Sequence, residues 1–92
     1  MTRDRFTREM AEIVERAFEE GMRISFPLDG NGWRRVQIER SVMRITHNVD
    51  FKDQERTAFN IKHVVARVDD LYIQTYEGLD FEIGYTEGEA DD

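Results

Sequence analysis

The chain reads as an α+β domain in which an N-terminal helix packs on a curled antiparallel sheet of about five strands. Three observations carry this reading. An apolar stripe of helical period runs through residues 5–20, the period changes to two after Gly21, and every later connection is short. Ninety-two residues hold one core and not two, so residues 1–86 form a single domain. Residues 87–92 have nothing to bury and are expected to be a frayed acidic tail. By topology alone the outline also matches a small Sm-like or SH3-like barrel.

In the helix, Phe6, Met10, Ile13, Val14, Ala17 and Phe18 recur at spacings that make one stripe. Asp4 or Thr2 can cap its start by accepting free backbone N–H groups, and Gly21 suits the left-handed position just past its end. Glu12 and Arg16 are spaced for a surface pair. Next, Met22, Ile24, Phe26 and Leu28 alternate with Arg23, Ser25 and Pro27, a half-buried strand. Pro27 cannot donate to a ladder and places that strand at an edge. Asp29-Gly30-Asn31-Gly32 marks a turn.

Beyond it, Val36 and Ile38 share one parity, whereas Met43, Ile45, His47, Val49 and Phe51 share the other. Such a change requires a bulge or bend at Glu39–Val42, or two short strands meeting there. Asn48–Arg56 is polar and is expected to be a loop. Thr57–Val68 reads as a strand with Phe59, Ile61, His63 and Val65 on one face. Asp69-Asp70 turns it into Leu71–Tyr76, and Glu77-Gly78 leads into Leu79–Tyr85, whose Leu79, Phe81, Ile83 and Tyr85 alternate with Asp80, Glu82 and Gly84.

Composition excludes several chemistries. There is no cysteine, which removes disulfides, thiolate metal sites and cysteine catalysis. No phosphate-binding glycine loop, dinucleotide fingerprint or nucleophile elbow is present, and the two serines, Ser25 and Ser41, lack a nucleophile's context. No catalytic residue, metal or cofactor is therefore expected. His47 and His63 fall on the apolar parity of their strands and are expected to be core or boundary residues. Asp50, Asp53 and Glu55 near them match no metal-ligand spacing. The first residues lack the apolar run of a signal peptide, and no stretch approaches the ~18 apolar residues of a membrane span. A cytoplasmic protein is expected, in the host cytoplasm if the chain is viral.

Charge is the most uneven property of the sequence. Residues 1–67 carry thirteen basic and eleven acidic side chains, while residues 68–92 carry nine acids and no base, so the net −7 lies in the last quarter. Asp69, Asp70, Glu77, Asp80 and Glu82 are candidates for a carboxylate ridge facing a basic protein partner, such as a nucleic-acid-binding complex. Small acidic chains without cysteine are the physical type of viral inhibitors, including anti-CRISPR-like proteins. A non-catalytic inhibitor that occupies a nucleic-acid channel is thus the expected function. A second patch, Trp33, Arg34, Arg35, Arg40 and Arg44, combines cations with a stacking ring. It fits single-stranded nucleic acid bound by a small-barrel oligomer, or pairing with the acidic end of another copy. A pI near 4.8 opposes direct attraction of a polyanion.

Overall fold

The structure, a computed structural model, describes the backbone of residues 6–28, 34–49 and 52–86 and the side chains of these except 47–49 and 52–56. Trp33, Asp50 and the tail 87–92 lie outside the described residues, as do the side chains of His47, Asp53 and Glu55. The order is α1 (Arg8–Glu19), β1 (Ile24–Pro27), β2 (Arg34–Glu39), β3 (Val42–Val49), β4 (Lys52–Ala66), β5 (Asp70–Thr75) and β6 (Phe81–Gly84). All six strands form one antiparallel meander in chain order, curled into a half-barrel with α1 packed against β4 and β5. Among the described residues β1 and β6 do not pair, so the curl leaves two sheet edges.

The helix begins later than its apolar stripe. Thr7, not Asp4 or Thr2, caps it, its side chain accepting from the Met10 N–H at 3.2 Å. Phe6 precedes the helix and bridges the two ends of the sheet. Its ring stacks on Phe26 of β1 at 5.1 Å between centroids and lies 5.9 Å from Tyr85, which follows β6. Its backbone closes the same gap: Thr86 N–H donates to the Phe6 carbonyl, and Phe6 N–H donates to Thr86 Oγ1, both at 2.7 Å. The end of α1 follows the glycine rule. Gly21, at φ 73°, lets its own N–H reach the Phe18 carbonyl and the Met22 N–H reach that of Ala17. Ala11, Val14 and Ala17 form the buried stripe, whereas Ile13 is half exposed and Glu12 pairs with Arg8 rather than Arg16.

The parity change in the sequence is a hairpin. Glu39 faces Val42 across the two-residue turn Arg40–Ser41, and Ile38 faces Met43 and Val36 faces Ile45. Partners around a two-residue turn have numbers that sum to an odd value, so residues on one face change parity there. This turn adds the sixth strand. Residues 48–56 read as a loop from their polarity, yet Asn48 pairs with Asp53 and Val49 with Lys52. The polar run is recruited because the β3 backbone completes its hydrogen bonds, which composition does not show.

Strand β4, fifteen residues long, is the spine of the fold. Its first part pairs with β3 as far as Asn60 and its second with β5 from Ile61 onward. Between Ile61 and His63 it advances two residues while β5 advances one, from Thr75 to Gln74. This bulge shifts the inward parity from Phe59 and Ile61 to Val64. His63 and Val65, assigned to the apolar face by strict alternation, point outward, and His63 is exposed. The core is continuous across the curl: Phe26, Val36, Ile38, Met43, Leu71 and Ile73 are each at most 1% exposed.

Candidate functional site

The acidic quarter of the chain folds as β5, β6 and the turns around them. Alternation on β5 buries Leu71, Ile73 and Thr75 and puts Asp70, Tyr72 and Gln74 on the outer side, with Tyr72 opposite Glu82. Arg67, the last basic residue, stands at the centre of this surface. It grips Asp70 through two bonds, Nε to Oδ1 at 2.7 Å and Nη2 to Oδ2 at 2.8 Å. Nη2 is also 3.5 Å from Glu82 Oε2, and the guanidinium lies 4.6 Å from the centroid of the Tyr72 ring. The bond to Asp70 raises the Arg67 pKa still further, keeping it charged at any working pH. Tyr85 Oη lies 2.7 Å from the carbonyl oxygens of both Arg67 and Asp70 and clips the β4–β5 turn from below.

Asp80 is fixed in turn. Its Oδ2 accepts from the Tyr72 hydroxyl at 2.8 Å and its Oδ1 from the Thr75 N–H at 3.3 Å. The bond to Asp80 raises the Tyr72 pKa, since loss of the phenol proton would set two anions together. Thr75 is the buried polar residue of the core among the described residues, 4% exposed, and its hydroxyl organises the next turn. Oγ1 donates to the Leu79 carbonyl at 2.6 Å and accepts from the Leu79 N–H at 3.1 Å. Gly78, at φ 88°, closes the turn by donating to the Thr75 carbonyl at 3.2 Å. Glu77 reaches across to β4 just before its bulge: it accepts from the Asn60 N–H at 2.9 Å and from Asn60 Nδ2 at 2.7 Å. The Asn60 backbone bond, reinforced by the side-chain bond, holds the Glu77 carboxyl below its ordinary pKa.

The five carboxylates singled out in the sequence therefore separate into three groups. Asp70, Asp80 and Glu82 gather around Arg67 and Tyr72; Glu77 is taken up in bracing the turn; Asp69 is exposed between β4 and β5. The ridge is less uncompensated than the charge count implies, because Arg67 offsets Asp70 and Glu82. Leu79, expected on the buried face, is 52% exposed, because the turn still encloses it and β6 begins only at Phe81. Spacing did not point to Asn60, Thr75 and Tyr72 as organising residues. Asn60 and Glu77 are seventeen positions apart, so no local pattern joins them.

The second patch is dispersed. Arg35 and Arg44 share the outer face of β2 and β3 as diagonal neighbours, Arg35 opposite Thr46 and Gln37 opposite Arg44. Arg34 starts β2 on the other parity, and Arg40 lies in the hairpin turn at φ 59°. Among the described residues no group of three His, Asp or Glu side chains could hold a metal ion, and no helix is long and apolar enough to cross a membrane. No family model, curated protein or solved structure matches the chain.

Proposed function

We propose that the chain is a small non-catalytic binding domain that sets its β5–β6 surface against a basic region of a larger protein. The class of partner is a nucleic-acid-handling complex, and the mode of action is occupation of its basic surface, as in a viral inhibitor of the anti-CRISPR-like type. One observation carries the reading. Asp80 is exposed yet held by two hydrogen bonds, beside a Glu82 whose side chain is 67% exposed. Carboxylates ordered before contact lose little side-chain freedom on binding, and an acidic patch accelerates encounter with a basic partner.

The test is capture of partners on the immobilised full chain at low and high salt, beside Asp80→Asn/Glu82→Gln. The proposal expects a basic protein that is released by salt and lost from the variant. Capture that is indifferent to both salt and variant would reject it. Recovery of nucleic acid that is lost in Arg35→Glu would move the function to the Arg35–Arg44 face instead.

A further inference from the structure

We infer that the β5–β6 turn is the anchor of the binding surface, inserting Tyr76 and Leu79 into an apolar recess flanked by Lys or Arg on a partner protein. The inference rests on the proposed binding function and names its energetic centre. Tyr76 is 70% exposed and Leu79 52%, in a turn with little freedom to move. Thr75 Oγ1 fixes both backbone groups of Leu79, and Gly78 N–H bonds to the Thr75 carbonyl. Glu77 and the Tyr76 N–H both lock onto Asn60, the latter by donating to its carbonyl at 2.8 Å. Lys62 Nζ stands 5.8 Å from the centroid of the Tyr76 ring.

A single exposed aliphatic side chain, such as Val68 or Met22, is ordinary on a protein surface. An exposed tyrosine and leucine on a turn braced by polar side chains are different. The backbone that carries them needs no ordering when a partner arrives, and tyrosine supplies a large contact area with few rotatable bonds. The charge beside them selects the partner. Asp80 adjoins Leu79, and Asp70, Asp80 and Glu82 outnumber the one guanidinium of Arg67 on that outer surface, which stays negative, so a basic rim around the recess is complementary. Interfaces of this design place an aromatic anchor at the centre and charged pairs around it.

The experiment selects a random displayed peptide library on the immobilised full chain. An enriched peptide is then titrated against the wild type, Tyr76→Ser/Leu79→Ser and Asp80→Asn/Glu82→Gln. The inference expects peptides that combine an apolar residue with Lys or Arg. It also expects about tenfold or greater weakening in the Tyr76/Leu79 variant at every salt concentration. The Asp80/Glu82 variant should weaken binding chiefly at low salt. Both anchor side chains project from the turn, and the Leu79 bonds to Thr75 are made by its backbone, so an unchanged unfolding temperature verifies the variant's fold. The two single substitutions serve if the double variant is unstable.

If the peptide is lost only in the Asp80/Glu82 variant, the charged surface stands and the anchor is rejected. Apolar peptides without cations would retain the turn as a binder and reject the basic partner. No enrichment would reject both. Concentration-dependent self-association abolished by Tyr76→Ser/Leu79→Ser would assign the turn to a second copy and overturn the inference.

Discussion

Two hairpins of one sheet are finished in opposite ways. The β2–β3 hairpin closes through Arg40–Ser41 alone, whereas the β5–β6 hairpin takes residues 76–80 and braces them with Thr75, Glu77 and Asp80. Beneath the turns the packing is alike: Ile38 faces Met43 in one pair and Ile73 faces Phe81 in the other. Ile38, Met43 and Ile73 are fully buried, and Phe81 packs on the same core from a half-buried position. Two residues suffice to reverse a strand over this core, as the first hairpin demonstrates. The longer turn therefore owes its shape to polar side chains and not to the core. The comparison separates a connection that only joins strands from one that holds side chains outward at set positions.

The largest effect tests whether the two hairpins share one core. Ile38→Ala and Ile73→Ala should each lose about 2–5 kcal/mol in denaturant unfolding. Loss of a single cooperative transition in only one of them would show that the halves fold separately. The next substitution tests the bracing itself. Thr75→Val keeps the volume but strands the Leu79 backbone groups, and should lose about 1–3 kcal/mol. Ser41→Ala in the other turn should stay within about 0.5 kcal/mol. Equal losses would erase the distinction between the turns.

Smaller effects sharpen it further. Arg40 has φ 59°, a left-handed conformation that glycine adopts without strain, so Arg40→Gly should raise stability by up to about 1 kcal/mol. A destabilised variant would mean that the arginine side chain is needed at the turn. Acid should weaken the braced turn. The Glu77 carboxyl is held below its ordinary pKa in the folded state. Its contribution is thus complete above the ordinary carboxylate range and is lost as the pH falls through and below it. Unfolding measured against pH should fall more steeply for the wild type than for Glu77→Gln on the acid side, with the two curves parallel near neutrality. Parallel curves throughout would show that the Asn60 clamp is inert.

What the sequence discloses follows the range of each interaction. The helix end is legible because Gly21 places N–H groups on carbonyls only three and four residues before it. The parity change at Glu39–Val42 is legible as an event, but a bulge and a two-residue turn leave the same trace. The bulge at Lys62 is hidden, because Val64 and Val65 are both apolar and either could face inward. Strict alternation therefore puts His63 inside, whereas the bulge turns it outward. The pairing of Asn48 with Asp53 and Val49 with Lys52 is hidden because its hydrogen bonds run between two strands and leave no local pattern. At the candidate site the charge is legible and its organisation is not. Arg67 and Asp70 are three residues apart, yet their grip depends on Tyr72 and Tyr85, which strand pairing delivers. The exposed Leu79 was hidden by an alternation that holds for Ile83 but stops at the turn.

The clasp between Phe6 and Thr86 has a consequence for the wiring of the chain. Because those two backbones are directly hydrogen-bonded, the path of the domain is almost a closed ring, leaving and re-entering at one spot. A short flexible link there would allow the chain to be cut at Arg40–Ser41 and still follow every strand in the same spatial order. By the same geometry, the whole domain can be spliced into a surface loop of another protein without prising that loop apart. Its two junctions would then sit side by side, with the Tyr76 turn carried as a rigid appendage.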